Sequence, residues 1–408
     1  MKKLIYVLWG SLLCIACSSG GDGSDTQNEV PEPDPTPSDA LTVANARTYM
    51  ADPNATEETV ALFYNLKKLS KTKTIIGHQD AFNFFYQDNR NMSDIKKTTG
   101  NEPGLLGSDF MFITDKNNPS NNWFVQQENK IIADTKEAYN KGMINIFCWH
   151  LREPYNEESF YASDMTDQQK TTAFRGLLPN GIFHDWYKAK LDKVAQVLNN
   201  LTAPDGTKIP VIFRPFHEFD GNWFWWGQNY CTAEEYKAVF QFTVTYLRDV
   251  KNIHNVLYSF APDNTYSNTS SYLSRYPGDE YVDVLGMDNC GDLGNGQGTA
   301  GADRANAKLK MISDLAVNKV KIAAFTETGY LVNNSNAPID GWFSNYAYTT
   351  ISKNNPEIAF IMLWYNYQNS YYVPTPANPN AADFLVFSNK AKCLLQNDLP
   401  DLYTLLQN

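Results

Sequence analysis

Short apolar runs recur along this chain, each a few residues long and each set apart by helix-like or loop-like sequence. Eight stand out, at residues 74–77, 104–107, 143–147, 210–214, 256–260, 282–286, 322–325 and 358–364. Most are rich in the β-branched and aromatic residues that favour strands. Helix-like segments lie between several of them, at 182–198, 233–247 and 303–315, and a last one is expected over 383–393. Strands alternating with helices predict a parallel sheet with helical crossovers. The fold class expected is α/β, a (β/α)8 TIM barrel.

Polar residues of functional types follow these runs. His78 and Gln79 come after the first, Asp109 after the second and His150 after the third. His217 and Glu218 follow the fourth, Asp263 the fifth, Asp288 the sixth and Glu327 the seventh, while Trp364 ends the eighth. In a barrel all these ends face one rim, where an active site forms. His184 and His254 fall elsewhere and read as packing or surface residues.

Composition narrows the picture. Aromatics make up 14% of the 408 residues, with 24 Tyr, 23 Phe and 9 Trp, enough to line a groove as well as fill a core. The formal net charge of -11, without a long basic run, argues against nucleic-acid binding and against a long anionic polysaccharide. A neutral β-linked glycan is the preferred partner, bound by a monomer. No Cys-x-x-Cys or His-Glu-x-x-His pattern calls for a metal, and no cofactor is expected.

The chain start reads as a targeting segment. Met1-Lys2-Lys3 is basic, and residues 4–16 are apolar but short for a membrane span. Leu13-Cys14-Ile15-Ala16-Cys17 is similar to a bacterial lipobox, which would make residues 1–17 a lipoprotein signal peptide and Cys17 the acylated terminus. A plain secretory signal is the alternative. Residues 18–40 are rich in Gly, Ser, Asp and Pro and are expected to form a flexible linker. Residues 41–408 would then form one catalytic domain, anchored at the envelope of a Gram-negative cell, in the outer membrane and facing either the periplasm or the surface. The remaining cysteines, Cys148, Cys231, Cys290 and Cys393, allow one disulfide but no dense framework.

Two acids carry the candidate chemistry. Glu218 ends a strand and precedes a loop holding Trp223, Trp225 and Trp226. Aromatic surroundings raise a carboxyl's proton affinity and suit it to donate a proton. Glu327 follows another apolar strand. Strands four and seven of a closed barrel can point their ends across one pocket, and glycosidic hydrolysis needs such a pair in opposite protonation states.

The segment His217-Glu218-Phe219-Asp220-Gly221-Asn222-Trp223-Phe224-Trp225-Trp226-Gly227, with Arg214-Pro215 before it, resembles the acid/base motif of glycoside hydrolase family 26. Thr326-Glu327-Thr328-Gly329 is similar to that family's nucleophile segment. The characteristic members are endo-β-1,4-mannanases, and the resemblance runs from about residue 44 to near the C-terminus. It implies a (β/α)8 barrel working by retaining double displacement, with Glu218 as acid/base and Glu327 as nucleophile. It further implies that His217 positions substrate and nucleophile, that His150 and Trp223 lie beside the cleavage point, and that Trp364 forms a platform under the reactive sugar. Asp288 is assigned a sugar-binding or supporting role. Arg214 is expected to pair with a carboxylate near the pocket. One departure stands out: Cys290 falls near the place where the family often presents a tyrosine on strand six, and Tyr258 and Tyr330 are the alternative sources of a hydroxyl. The implied substrates are mannan, galactomannan or glucomannan. A β-1,3-xylanase, a mixed-linkage β-glucanase or a non-catalytic surface glycan-binding lipoprotein are the alternatives.

Overall fold

The computed structural model describes residues 40–405. The expected signal segment, and the linker up to residue 39, lie outside the described residues. Eight strands form the barrel: β1 (Thr74–Gln79), β2 (Leu105–Asp109), β3 (Ile144–Cys148), β4 (Val211–Arg214), β5 (Val256–Phe260), β6 (Val284–Asp288), β7 (Ile322–Thr328) and β8 (Phe360–Leu363). Every pairing is parallel, and β1 pairs with both β2 and β8, so the sheet closes. The main helices around it are α1 (Glu57–Leu69), α2 (Asp94–Thr99), α3 (Trp123–Asn140), α4 (Asp167–Ala173), α5 (His184–Asn200), α6 (Ala233–Thr245), α7 (Thr269–Tyr272), α8 (Gly298–Lys319), α9 (Tyr348–Ser352) and α10 (Ala381–Ser388). This is a (β/α)8 TIM barrel. Among the described residues no helix is long and apolar enough to cross a membrane.

All eight strands are buried along their whole length, which is why they read as continuous apolar runs rather than alternating ones. Alternate side chains still go to different places. Ile75, Leu105, Ile146, Ile212, Leu257, Val284, Ile322, Phe360 and Met362 join one apolar cluster with Val60, Phe63 and Leu66 of α1, and this fills and closes the N-terminal end of the barrel. Ile76, Phe147, Phe213, Tyr258, Leu285, Phe325 and Ile361 face the surrounding helices in a second cluster. Further up the inward row, toward the C-terminal rim, the side chains become polar: Asp109, Arg214, Ser259, Asp288 and Thr326.

Two helices differ from expectation. The helix expected over 303–315 starts earlier, at Gly298, and runs to Lys319. Gly301 permits this start, since a Cβ there would come within 1.9 Å of the Asp292 carbonyl oxygen. The final helix stops at Ser388 instead of reaching Cys393, and Cys393–Leu394 forms a further strand, β9, parallel to β1. The pairing of β2 with β1 begins only at Gly77, so Thr74 and Ile75 have an edge left over. Strand β9 takes that edge, because buried backbone groups need partners.

Candidate active site

Arg214, the last residue of β4, is fully buried inside the barrel mouth. Its Nη2 donates to Glu327 Oε2 at 2.7 Å, and its Nη1 donates to Asp288 Oδ2. The other oxygen of Asp288 accepts from Thr326 Oγ1 at 2.7 Å. One guanidinium therefore ties the ends of β6 and β7 to β4. Its planar fork suits two carboxylates in a way that an ammonium does not.

Glu327 reaches this arginine through an irregularity in β7. Met287 pairs with Phe325, but the next residue, Asp288, pairs with Glu327, so Thr326 is an extra residue. Toward β8 the count is the same, since Phe325 pairs with Ile361 and Thr328 with Leu363. A bulge of this kind breaks the alternation and re-aims side chains. Thr326 and Glu327 consequently both point inward. The backbone on either side is pinned, with Asn289 N donating to Glu327 O at 2.9 Å and Thr328 Oγ1 donating to Asn289 O at 2.9 Å.

Glu218 arrives by a different route. After β4 the chain turns sharply, with φ of 50° at Phe216 and 53° at Glu218. Non-glycine residues in this region cost about 1–3 kcal/mol each, and persist where their surroundings over-determine them. Here they do. Glu218 N donates to Ala261 O at 2.9 Å, Tyr236 Oη to Phe216 O at 3.0 Å, and Trp226 Nε1 to His217 O at 2.7 Å. The Glu218 carboxyl is half-buried and accepts the Trp223 indole N–H at 2.6 Å on Oε2. Burial, then the neighbouring carboxylates of Glu327, Asp263 and Asp288, push its proton affinity well above the ordinary range. One carboxylate oxygen from each of Glu218, Asp288 and Glu327 lies within 4.8 Å of the others.

The two histidines form a relay beside these acids. Asp109 Oδ2 lies 2.6 Å from His150 Nδ1, and Asp109 Oδ1 accepts the His150 backbone N–H at 3.1 Å. His150 Nε2 lies 3.3 Å from His217 Nε2. Asp109 fixes the ring of His150 through Nδ1 and so turns its Nε2 toward His217. Burial, and then the charge of Arg214, keeps His217 well below the ordinary imidazole range, hence neutral.

The site residues expected from sequence converge in part. Glu218, Glu327, His150, His217, Asp288 and Trp223 share one mouth, and Trp364 borders it, its ring centroid 5.8 Å from that of His150. His78 does not join them. It lies on the outward face of β1 with Ile76, buried toward Asp94 and Lys97 of α2, and burial lowers it to about 4. The aromatic surface is also smaller than expected. Trp225 and Trp226 are core residues, donating their N–H groups to the carbonyls of Leu151 and His217, and only Trp223 of the three is exposed, at 36%. His184 and His254 stand apart, bonded to Leu177 O and Asp52. Cys148, Cys231, Cys290 and Cys393 are all free thiols, so the bridge that sequence allowed is not formed.

Further residues complete the site, Asp109 and Asp263 from strand ends already noted and three tyrosines that sequence reasoning did not select. Asp109 orients His150. Asp263, beside Glu218, is pushed up to about 8 by burial and by Asp220. Tyr161, Tyr367 and Tyr372 are half-buried, and all three hydroxyls feel the charge of Glu327. Gly329 makes room for the last of these, since a Cβ at its φ of 156° would come within 2.3 Å of the Tyr372 ring. Tyr258, considered as a hydroxyl source, is fully buried against the helices instead. Asp109 and Asp263 were legible from their places at strand ends. The tyrosines come from long loops, where no periodicity reports direction.

Residues 51–373 match the family model of glycosyl hydrolase family 26. The chain belongs to glycosyl hydrolase family 26. A mannan endo-1,4-beta-mannosidase of Bifidobacterium adolescentis is 32% identical over 361 residues, covering 85% of this chain and 35% of that protein. The chain thus spans well under two thirds of that curated relative's length. Among solved structures, a family 26 protein of a Muricauda species is 53% identical with a TM-score of 0.89, covering 90% of this chain and 99% of that one. A modular endo-beta-1,4-mannanase of Cellulomonas fimi is 30% identical with a TM-score of 0.80, covering 87% of this chain and 79% of that one.

Proposed function

We propose that this family 26 chain is a retaining endo-β-1,4-mannanase, acting on mannan, galactomannan or glucomannan, with Glu218 as acid/base and Glu327 as nucleophile. The observation that carries the reading is the close approach of the two carboxylates, within 4.8 Å. Retaining enzymes hold the pair about 5–5.5 Å apart, whereas inverting ones need about 6.5–9.5 Å to seat a water between them. The electrostatics support the division of roles. Glu327 lies against the Arg214 guanidinium, which anchors and aims the carboxylate for attack. Glu218 lacks a cationic partner and is pushed toward its protonated form. Glu218 protonates the departing glycosidic oxygen while Glu327 attacks the anomeric carbon, and Glu218 then deprotonates the water that releases the sugar.

His150, His217, Trp223, Trp364 and Asp288 are assigned to substrate. Trp364 offers a face on which a sugar ring stacks, and Asp288 holds Arg214 so that Glu327 stays aimed. The choice of mannose rests on the mannanases to which the chain is similar. The deciding experiment is product analysis on mannan, glucomannan, mixed-linkage β-glucan and β-1,3-xylan, with the anomer of the first product read by NMR. Internal cleavage of mannan with retained configuration is expected. Products of inverted configuration would overturn the mechanism, and activity confined to another glycan would overturn the substrate.

The apolar segment before Cys17 supports a lipid-anchored location at the envelope. Detergent is expected to be needed to extract the native protein, and a Cys17→Ser variant is expected to be released in soluble form.

A further inference from the structure

The Trp223 ring is exposed, yet it is held at three points. Its carbonyl accepts the Ala162 N–H at 2.7 Å, from the segment that follows β3. Its six-membered ring covers Gly221, where an added Cβ would come within 2.3 Å of Cη2. Its indole N–H donates to Oε2 of Glu218 at 2.6 Å. The two neighbouring tryptophans use the same group on backbone carbonyls, so this bond to a reacting carboxyl is particular to Trp223.

We propose that Trp223 is a positioning residue for the proton of Glu218: by occupying Oε2 it leaves Oε1 as the oxygen that gives the proton to the leaving group and later takes one from water. The inference rests on the acid/base role proposed above. The proton count follows. As Glu327 bonds to the anomeric carbon, the glycosidic C–O bond breaks, its electron pair stays on the leaving oxygen, and that oxygen takes the proton from Oε1. Water then bonds to the same carbon, the ester bond to Glu327 breaks back to a carboxylate, and the proton released by water returns to Oε1. Oε2 never carries the proton, so the indole bond lasts through the cycle and is strongest whenever Glu218 is ionised.

The other groups facing Glu218 act against its ionised form. Glu327 of β7, Asp263 beyond β5 and Asp288 of β6 all repel a charge there, and Tyr161, Cys290 and Tyr372 lie within reach of it. Arg214 is engaged by Asp288 and Glu327, and the adjoining His217 is neutral. Trp223 is the donor that restores balance, keeping the carboxylate accessible for the second step.

Trp223→Phe keeps a ring and removes the donor. The alkaline limb of kcat/KM against pH reports the acid in the free enzyme, and it is expected to move upward by about one pH unit. Gly221→Ala retains the indole but displaces it, and is expected to move the limb the same way by less. This second variant decides the matter if the first does not fold. An alkaline limb that stays put overturns the inference, since a tryptophan that only packs against substrate would change KM and leave the limb alone. Glu218→Ala is assayed in parallel on an aryl mannoside with added azide. Restored turnover confirms the acid/base role independently, and its absence would count against that role rather than against Trp223 alone.

Discussion

Glu218 and Glu327 end adjacent tasks in one pocket, yet the chain delivers them by opposite means. Glu327 stays inside a strand, turned inward by one extra residue and fastened to a buried arginine. Glu218 stands beyond its strand, on a turn with two residues in left-handed backbone geometry and with a neutral indole bonded to its carboxyl. On the proposed assignment, the difference is that between an anchored nucleophile and a movable proton. A nucleophile benefits from a cation that keeps it ionised and aimed. An acid/base must change its charge within each cycle, and a cation at contact distance would hold it in one state.

The comparison can be broken most severely at the carboxylates themselves. Glu327→Ala is expected to lower turnover by about 10⁴-fold or more on every substrate, because the covalent route is lost. Glu218→Ala is expected to cost about 10²–10⁴-fold on polysaccharide and far less on an aryl mannoside whose leaving group needs no proton. Equal losses on both substrates would erase the distinction between the two acids. Next in size is the arginine. Arg214→Met leaves Asp288 and Glu327 buried without their cation, and urea denaturation is expected to show about 3–5 kcal/mol of lost stability. A variant as stable as the parent would mean that the triad does not act as one ionic unit.

Smaller effects sharpen the picture. Thr326→Val removes the donor on the buried Asp288 Oδ1 and is expected to destabilise by about 1–3 kcal/mol, again read by denaturation. Glu218→Gln tests the opposite sign. Because folding raises the proton affinity of Glu218, its contribution to stability is fully present below the ordinary carboxylate range and is lost as pH rises through the folded value. The amide variant is therefore expected to be the more stable protein at neutral and alkaline pH, with the gain fading in acid. A gain independent of pH would show that ionisation of Glu218 is not its source.

The barrel was readable from sequence because parallel strands buried on both faces appear as plain apolar runs, and each of the eight fell where such a run lies. The family and Glu218 were readable because the motif at 217–227 is long, and Glu327 because the segment at 326–329 ends a matching apolar strand. What escaped was direction. His78 shares a face with Ile76, and so turns toward α2 while His150 turns inward. The burial of Trp225 and Trp226 depends on Leu151 and His217, contacts invisible in a linear reading. The bulge at Thr326 exists only as a register between two strands, and the pairing of Asp109 with His150 joins residues far apart in the chain. Strand β9 was absorbed into a helix because two paired residues carry no periodicity.

That short strand also bears on how the molecule comes to be made. The lower half of β1 lacks its neighbour on one side until Cys393 and Leu394 have been synthesised. The cylinder itself closes through β8, but full pairing of β1 awaits almost the whole polypeptide. A nascent chain emerging from the ribosome would carry an unsealed seam through most of translation, and a truncation before Cys393 would leave that seam permanently open to pairing with another chain.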